Sequence, residues 1–265
     1  MTNLLKRGTS GIIYAVLFIS AILYSKESYI ILISMFGFVC IWEFLKLSNL
    51  KNSIPYILFL GLIFLPFLSF NTTLLIHGLL LLSLSGSIQL LIYLYTKKKK
   101  YPSNKIQKFD ITIRYLLLSL GFLILLPVVN GEYQESIILS LVIFIWVNDS
   151  FAFLVGKNFG KRKLFESVSP KKTIEGFLGG VFFTVIAAII VSYSIDFLSM
   201  IHWIVIALIA SILGTIGDLV ESKFKRQAKI KDSGTIMPGH GGLLDRLDSL
   251  LFVAPFVYLY IHYLI

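Results

Sequence analysis

Long apolar runs alternate along the chain with short breaks rich in charge, Pro or Gly. Nine such runs stand near 10–25, 28–46, 54–70, 72–95, 112–130, 135–155, 176–195, 202–220 and 249–264. Each reads as a membrane-crossing helix, because roughly 20 residues rising 1.5 Å apiece match a hydrocarbon core of about 30 Å. The polar breaks fall into two unequal sets. Every Lys and Arg except Lys26 lies in alternate breaks or at the run ends beside them, on the side that also holds the N-terminus, while Glu27, Glu132, Glu135 and Asp196 mark the other side. By the positive-inside rule the pattern predicts an all-α polytopic membrane protein of nine helices, N-in and C-out.

Composition agrees with the pattern. Hydrophobic residues make up 57% of the 265 and charged residues only 14%, with mean hydropathy +0.85. An average soluble domain carries about 25% charged residues, so a water-soluble fold is excluded. The net charge of +10 would suggest nucleic acid in a soluble protein; here basic loops facing anionic headgroups account for it, and no nucleic-acid partner is expected. Cys40 is the single cysteine, which leaves no disulfide framework and no CxxC zinc site. Lys6 and Arg7 precede the first apolar run, and no small-x-small cleavage site follows before Lys26, so that run reads as a retained span.

Two regions emerge. Residues 1–110 hold about four spans and a basic linker, Lys97 to Lys108, which reads as solvated and lipid-facing. Residues 111–265 hold about five spans and two basic-side loops, 156–176 and 221–248, that mix Gly, Pro, Ser, acids and bases. These two loops read as sites.

The chemistry is concentrated in carboxylates at that membrane surface. Asp149 ends the sixth span, Asp218 ends the eighth, and Asp245 and Asp248 stand three apart before the ninth, so an early helix start puts both on one face. Taken singly, each acid is as well explained by pairing with Arg226, Arg246 or the loop lysines. Together with the surrounding glycines they suit a hard divalent cation, which takes carboxylate oxygens along with substrate phosphates and water. Asp218, Ser222, Lys225 and Lys229 share a helical face that fits either a metal-bound phosphate or an ordinary snorkelling helix end.

The glycines at 234, 239, 241 and 242, with Pro238, break the helical pattern and let backbone N–H groups approach an anion. His240 serves there equally as a phosphate or metal-shell donor or as a loop tether. In the other loop, Pro170 stiffens the approach, Lys171 and Lys172 supply charge, and Thr173 with Glu175 opens the next helix. Gly179 and Gly180 read as close-packing residues. His77, His202 and His262 read as packing or interfacial residues, and Glu43 as snorkelling or pairing with Lys46. Trp42, Trp146 and Trp203 fit an aromatic belt or helix packing.

The run Ser222-Lys-Phe-Lys-Arg226, four residues, Lys231-Asp-Ser-Gly234, two residues, Met237-Pro-Gly-His-Gly-Gly-Leu243, one residue, Asp245-Arg-Leu-Asp248 resembles the signature of phosphatidate cytidylyltransferases. The Asp149 segment and Ser169-Pro-Lys-Lys-Thr-x-Glu-Gly176 are also similar to family features; the first 110 residues resemble it only in hydropathy. Met237 stands where Ile, Leu or Phe is usual, and Phe151 and Phe153 where a small residue and a Tyr are usual.

The resemblance implies the reaction of CTP with phosphatidic acid to give CDP-diacylglycerol and pyrophosphate, with Mg²⁺ required and K⁺ sometimes in the metal centre. It implies Asp218 and Asp245 as principal metal ligands with Asp149 and Asp248 beside them, and Lys225 and Arg226 joining Asp218, Asp245 and Asp248 in catalysis. Ser222, Lys171, Lys172, Ser169, Lys231, Gly239, His240, Gly241, Gly242 and Arg246 are then the expected substrate contacts. The expected setting is the plasma membrane with the site on the cytoplasmic side, and the ninth span serves equally as a dimer interface or a lipid-facing wall. The alternatives are a related isoprenoid-lipid cytidylyltransferase, a polyprenol kinase, or a transporter. A transporter's acids lie nearer the bilayer midplane and between repeats, and no repeat is visible here. The Asp-Gly-x-x-Ala-Arg opening of CDP-alcohol phosphatidyltransferases is not found in the chain.

Overall fold

The computed structural model describes residues 2–67, 73–96, 100–237, 239 and 241–265, and for residues 2–7 the backbone alone. The helices are α1 (Thr2–Tyr24), α2 (Lys26–Ser48), α3 (Ile54–Ile63), α4 (Thr73–Tyr95), α5 (Lys105–Ile111), α6 (Leu118–Leu125), α7 (Glu135–Phe159), α8 (Ile174–Ser194), α9 (Met200–Gln227) and α10 (Leu244–Leu259). A π-helical stretch, Thr112–Leu117, joins α5 to α6, and another, Tyr260–Leu264, extends α10. Two antiparallel hairpins interrupt the helical pattern, β1 (Val128–Val129) with β2 (Glu132–Tyr133), and β3 (Lys163–Phe165) with β4 (Ser169–Thr173).

Among the described residues, six helices are long and apolar enough to cross a bilayer: Lys26–Ser48, Thr73–Tyr95, Glu135–Phe159, Ile174–Ser194, Met200–Gln227 and Leu244–Leu264. The apolar stretches Gly8–Tyr24 and Ile54–Phe67 form shorter helices. The run at 112–130 divides between the π stretch, α6 and β1.

Local sequence explains where the helices begin and end. Ser25 caps α2 through a reciprocal bond with Ser28, and Asn49 closes it in the left-handed conformation at φ 51°. The Thr173 hydroxyl accepts from the Gly176 N–H at 3.1 Å and starts α8, as the loop sequence predicts.

Between apolar helices in lipid, close packing and hydrogen bonds replace the hydrophobic drive. At Gly180 a Cβ would stand 2.6 Å from Asn148 Oδ1, so α7 and α8 approach as closely as only glycine allows. Gly217 does the same between α9 and α10, where a Cβ would meet Phe252 Cβ at 2.6 Å. One apolar core runs through both sequence regions: Phe44 of α2 stands edge-on to Phe224 of α9, centroids 5.8 Å apart, and the Tyr29 hydroxyl donates to Leu123 O at 2.7 Å.

Candidate active site

α7 and α9 run toward one end of the bundle, and α8 and α10 run back from it. Two hydrogen bonds set their relative heights. Asn148 Nδ2 donates to Thr215 Oγ1 at 3.3 Å, which brings Asp149, the next residue of α7, alongside Asp218 of α9. Ser249 Oγ donates to Gly214 O at 3.0 Å, which brings Asp248 of α10 to the same level. α10 begins at Leu244, early enough to include both Asp245 and Asp248.

The β3–β4 hairpin adds the charge. Lys172 pairs with Asp218 Oδ2, while Ser222 Oγ donates to the other oxygen at 3.1 Å. Burial pushes the Lys172 pKa down, but Asp218, by charge and hydrogen bond, with Asp149 and Asp248 acting in the same direction, outweighs it and holds the ammonium above the ordinary lysine range. One ammonium thus pairs with Asp218 and feels the charge of Asp149 and Asp248 as well.

Lys225 is buried and bridges Glu221 Oε2 and Asp245 Oδ1, at 2.5 Å to each. Asp245 Oδ2 accepts from Ser233 N at 2.9 Å, Ser233 Oγ at 3.0 Å and Gly242 N at 2.8 Å. A carboxylate has about four acceptor positions, so Asp245 is fully engaged by its own protein. The anions that the glycine-rich loop approaches are thus Asp245 and Glu43: a Cβ on Gly241 would stand 2.7 Å from Asp245 Oδ2, and one on Gly242 would stand 2.6 Å from both Glu43 oxygens.

Three cavities adjoin these groups. The first, about 480 Å³, is lined by Lys157, Lys163, Lys171, Lys172, Asp149 and Asp218. The second, about 300 Å³, is lined by Asp149, Asp245, Arg246, Asp248, Tyr14 and Met237. The third, about 790 Å³, is a largely apolar groove between α1 and α2 that shares Tyr14 and Met237 with the second. Asp149 is common to the first two. A further cavity of about 270 Å³ beside Lys100 and Lys108 shares no lining residue with these.

Other predicted residues stand elsewhere. Arg226 donates to Val168 O at 3.4 Å and Ile230 O at 3.3 Å, tying the hairpin to the turn after α9. Lys229 lies beyond the end of α9 at φ 60°, so it leaves the helical face expected of it. Ser169 pairs with Phe165 inside the hairpin, and Lys231 and Gly239 are exposed on the loop. His240, Pro238 and Lys97 to Lys99 lie outside the described residues.

Phe151 stacks on Phe183, centroids 3.9 Å apart, so that position packs helices. His77 packs on Tyr263, His202 bonds Tyr260, and His262 meets Leu126 O, in keeping with packing roles.

Two buried acids were left outside the candidate site by the sequence reading. Glu221 left one signal, an acid four residues before Lys225 in an apolar helix. Glu43 left none that singles out its partners. It does not pair with Lys46, whose ammonium sits 5.1 Å from the Trp42 ring centroid; Glu43 instead accepts from Leu243 N, Leu244 N and Ser233 Oγ.

Comparison with known proteins adds an independent line. The model of the cytidylyltransferase family matches residues 5–264. A phosphatidate cytidylyltransferase of Bacillus subtilis (strain 168) is 34% identical over 262 residues, covering 97% of each chain. One of Staphylococcus saprophyticus is 33% identical over 253 residues, 94% of this chain and 95% of that one. One of Staphylococcus aureus (strain COL) is 51% identical over 120 residues, 44% of this chain and 46% of that one. A match over almost the whole length, on a chain whose signature acids converge at one end of a helical bundle, means that this protein belongs to the cytidylyltransferase family.

Proposed function

We propose that this protein transfers the cytidylyl group of CTP to phosphatidic acid, giving CDP-diacylglycerol and pyrophosphate. The observation that carries the reading is the meeting of a lysine-lined cavity and an arginine-lined cavity at Asp149. One suits a nucleotide polyphosphate. The other suits a lipid phosphate, and the apolar groove continuing from it at Tyr14 and Met237 suits the acyl chains.

Chemically, an oxygen of the lipid phosphate attacks the α-phosphorus of CTP, and the bond from that phosphorus to the bridging oxygen of the β-phosphate breaks. The nucleophile is already anionic, so no protein nucleophile is needed. The chain's task is to hold two anions in line. Lys163, Lys171 and Lys172 neutralise the polyphosphate, Arg246 orients the lipid phosphate, and Lys225, fixed by Glu221, steadies Asp245.

The donor set fits a hard divalent cation. Asp149, Asp218 and Asp248 act on one ammonium and offer only carboxylate oxygens. Among the described residues no three His, Cys, Asp or Glu side chains form a ready cage, so water and substrate phosphates must complete the shell. Asp218, Asp149 and Asp248 would hold Mg²⁺, with Asp245 beside them on Lys225; a K⁺ ion is the companion the resemblance suggests. Bound Mg²⁺ would neutralise charge on the departing pyrophosphate.

The basic-residue asymmetry supports nine spans, N-in and C-out, in the plasma membrane with the site facing the cytoplasm and its CTP. The last helix, expected as a dimer interface or a lipid-facing wall, is mostly buried within the bundle, so a homodimer would have to use another face.

The test is pyrophosphate release by the purified protein from CTP and Mg²⁺, with and without phosphatidic acid, with Asp245→Asn as the blank. Lipid-dependent release that the variant loses is the expected result. Release with a polyprenyl phosphate in place of phosphatidic acid would move the chain to isoprenoid-lipid chemistry, and no release from folded protein would overturn the reading.

A further inference from the structure

Glu43 lies at the end of α2, nearly 200 residues from the signature loop, and is completely buried. Burying a carboxylate is costly unless its lone pairs are met. None of the ion pairs among the described residues involves Glu43. Its partners are instead the two ends of the glycine-rich loop. On the far side, Leu243 N donates to Oε1 at 3.2 Å and Leu244 N to Oε2 at 2.8 Å. On the near side, Ser233 Oγ meets Oε2 at 3.3 Å.

These donors have a common logic. Leu243 and Leu244 open α10, where unpaired N–H groups and the helix dipole favour an anion. In many proteins a phosphate takes such a place; here a side chain of the protein takes it, and substrate phosphates are left to the lysines and Arg246. The fit is tight on both sides, since a Cβ on Gly234 would stand 2.1 Å from Glu43 Oε1. The same Ser233 hydroxyl also reaches Asp245 Oδ2 at 3.0 Å, so one serine links the buried carboxylate to the one in the site.

We propose that Glu43 is a positioning residue, the buried anion on which the 233–244 loop closes and through which Ser233 holds Asp245 in place. It touches none of the three cavities and acts only through the loop. The N-terminal region, which carries none of the signature, therefore supplies the post that the signature folds around.

The inference rests on the cytidylyl-transfer reading, and its test separates the two. Glu43→Gln keeps the shape but turns an amide NH₂ toward donors, leaving at least one unpaired. The expected result is a kcat lower by about 10–100-fold, the range seen when an outer partner of a site residue is removed, with KM for both substrates near wild type. Hydrogen exchange should quicken in the peptide covering 233–247 and keep wild-type rates in α4 and α7. Glu43→Asp, which keeps the charge on a shorter arm, should recover part of kcat.

Ser233→Ala should lower kcat too, and combining it with Glu43→Gln should cost less than the two losses multiplied. A wild-type kcat in Glu43→Gln, exchange rising throughout the bundle, or strictly multiplicative losses would each overturn the inference. A wild-type protein that shows the protected loop but releases no pyrophosphate would fail the functional reading alone.

Discussion

Lys172 shows at one side chain how the site is balanced. Burial works against its charge, while Asp218, Asp149 and Asp248 work for it, and the carboxylates win. A lysine whose folded pKa is raised contributes stability that is complete below its unfolded value of about 10.4 and is lost only as pH climbs through the folded value. This ammonium therefore stays charged across the neutral range. In Asp218→Asn the burial term meets less opposition, so the Lys172 pKa should fall. The measurement is competitive acylation of Lys172 against pH, which should show reaction beginning at lower pH in the variant, alongside a loss of turnover of about 100-fold or more. Unchanged labelling and turnover would remove Asp218 from the centre.

Residue types were legible where chemistry is local. Asp149, Asp218, Asp245 and Asp248 announce themselves as charges beside apolar spans, and all four prove to border the cavities. Glu43 was visible as a charge in an apolar run but was assigned to Lys46, because its true partners come from 190 to 201 positions away.

Between elements, the signature run divides into working and structural members. Lys223, within the run, donates from Nζ to Tyr93 O, to Leu94 O at 3.0 Å and to Thr96 O at 3.0 Å, and its ammonium sits 4.0 Å from the Tyr93 ring centroid. It caps the end of α4, satisfying carbonyls that a helix leaves without partners. Lys223→Met should cost about 1.5–3 kcal/mol, the scale of hydrogen bonds to a charged donor, and lower the thermal midpoint in detergent. The kcat of the folded fraction should stay near wild type; a large kcat loss without a change in midpoint would place Lys223 in the chemistry.

Most helix positions were legible from hydropathy because apolar length is a one-dimensional property, though the 112–130 run divides between a π stretch, α6 and β1. The β3–β4 hairpin was not, since Lys163-Leu-Phe165 and Ser169-Pro-Lys-Lys-Thr173 lack the alternation of a half-buried strand and Pro170 argues against one. Its strands are fixed partly by Glu175, which accepts from Lys161 N at 3.0 Å and Arg162 N at 3.1 Å.

For the whole molecule, the proposal fixes a sidedness that can be measured directly. Cys40 is fully buried, so a Cys40→Ser background leaves a clean reporter. Single cysteines at Lys171 and Lys231 should react with a membrane-impermeant maleimide only in inside-out vesicles. One at Lys26 should react only in right-side-out cells. The opposite pattern would invert the topology and separate the site from cytosolic CTP.

The sequence by itself determined that the protein is an integral membrane helix bundle, where its basic residues gather along the chain, and which stretch carries the family signature. These follow from hydropathy, from charge and from the spacing of a contiguous signature, all properties of neighbours along the chain. Only the tertiary structure decided that Lys172 pairs with Asp218 within the field of two aspartates from other helices, that Asp245 is held by Lys225 and its own loop, and that Glu43 stands at the loop's centre. The physical reason is that glycine contacts such as Gly180 against Asn148 and Gly217 against Phe252 set how near and at what height the helices meet. That height, which no local pattern encodes, turns scattered carboxylates into a site.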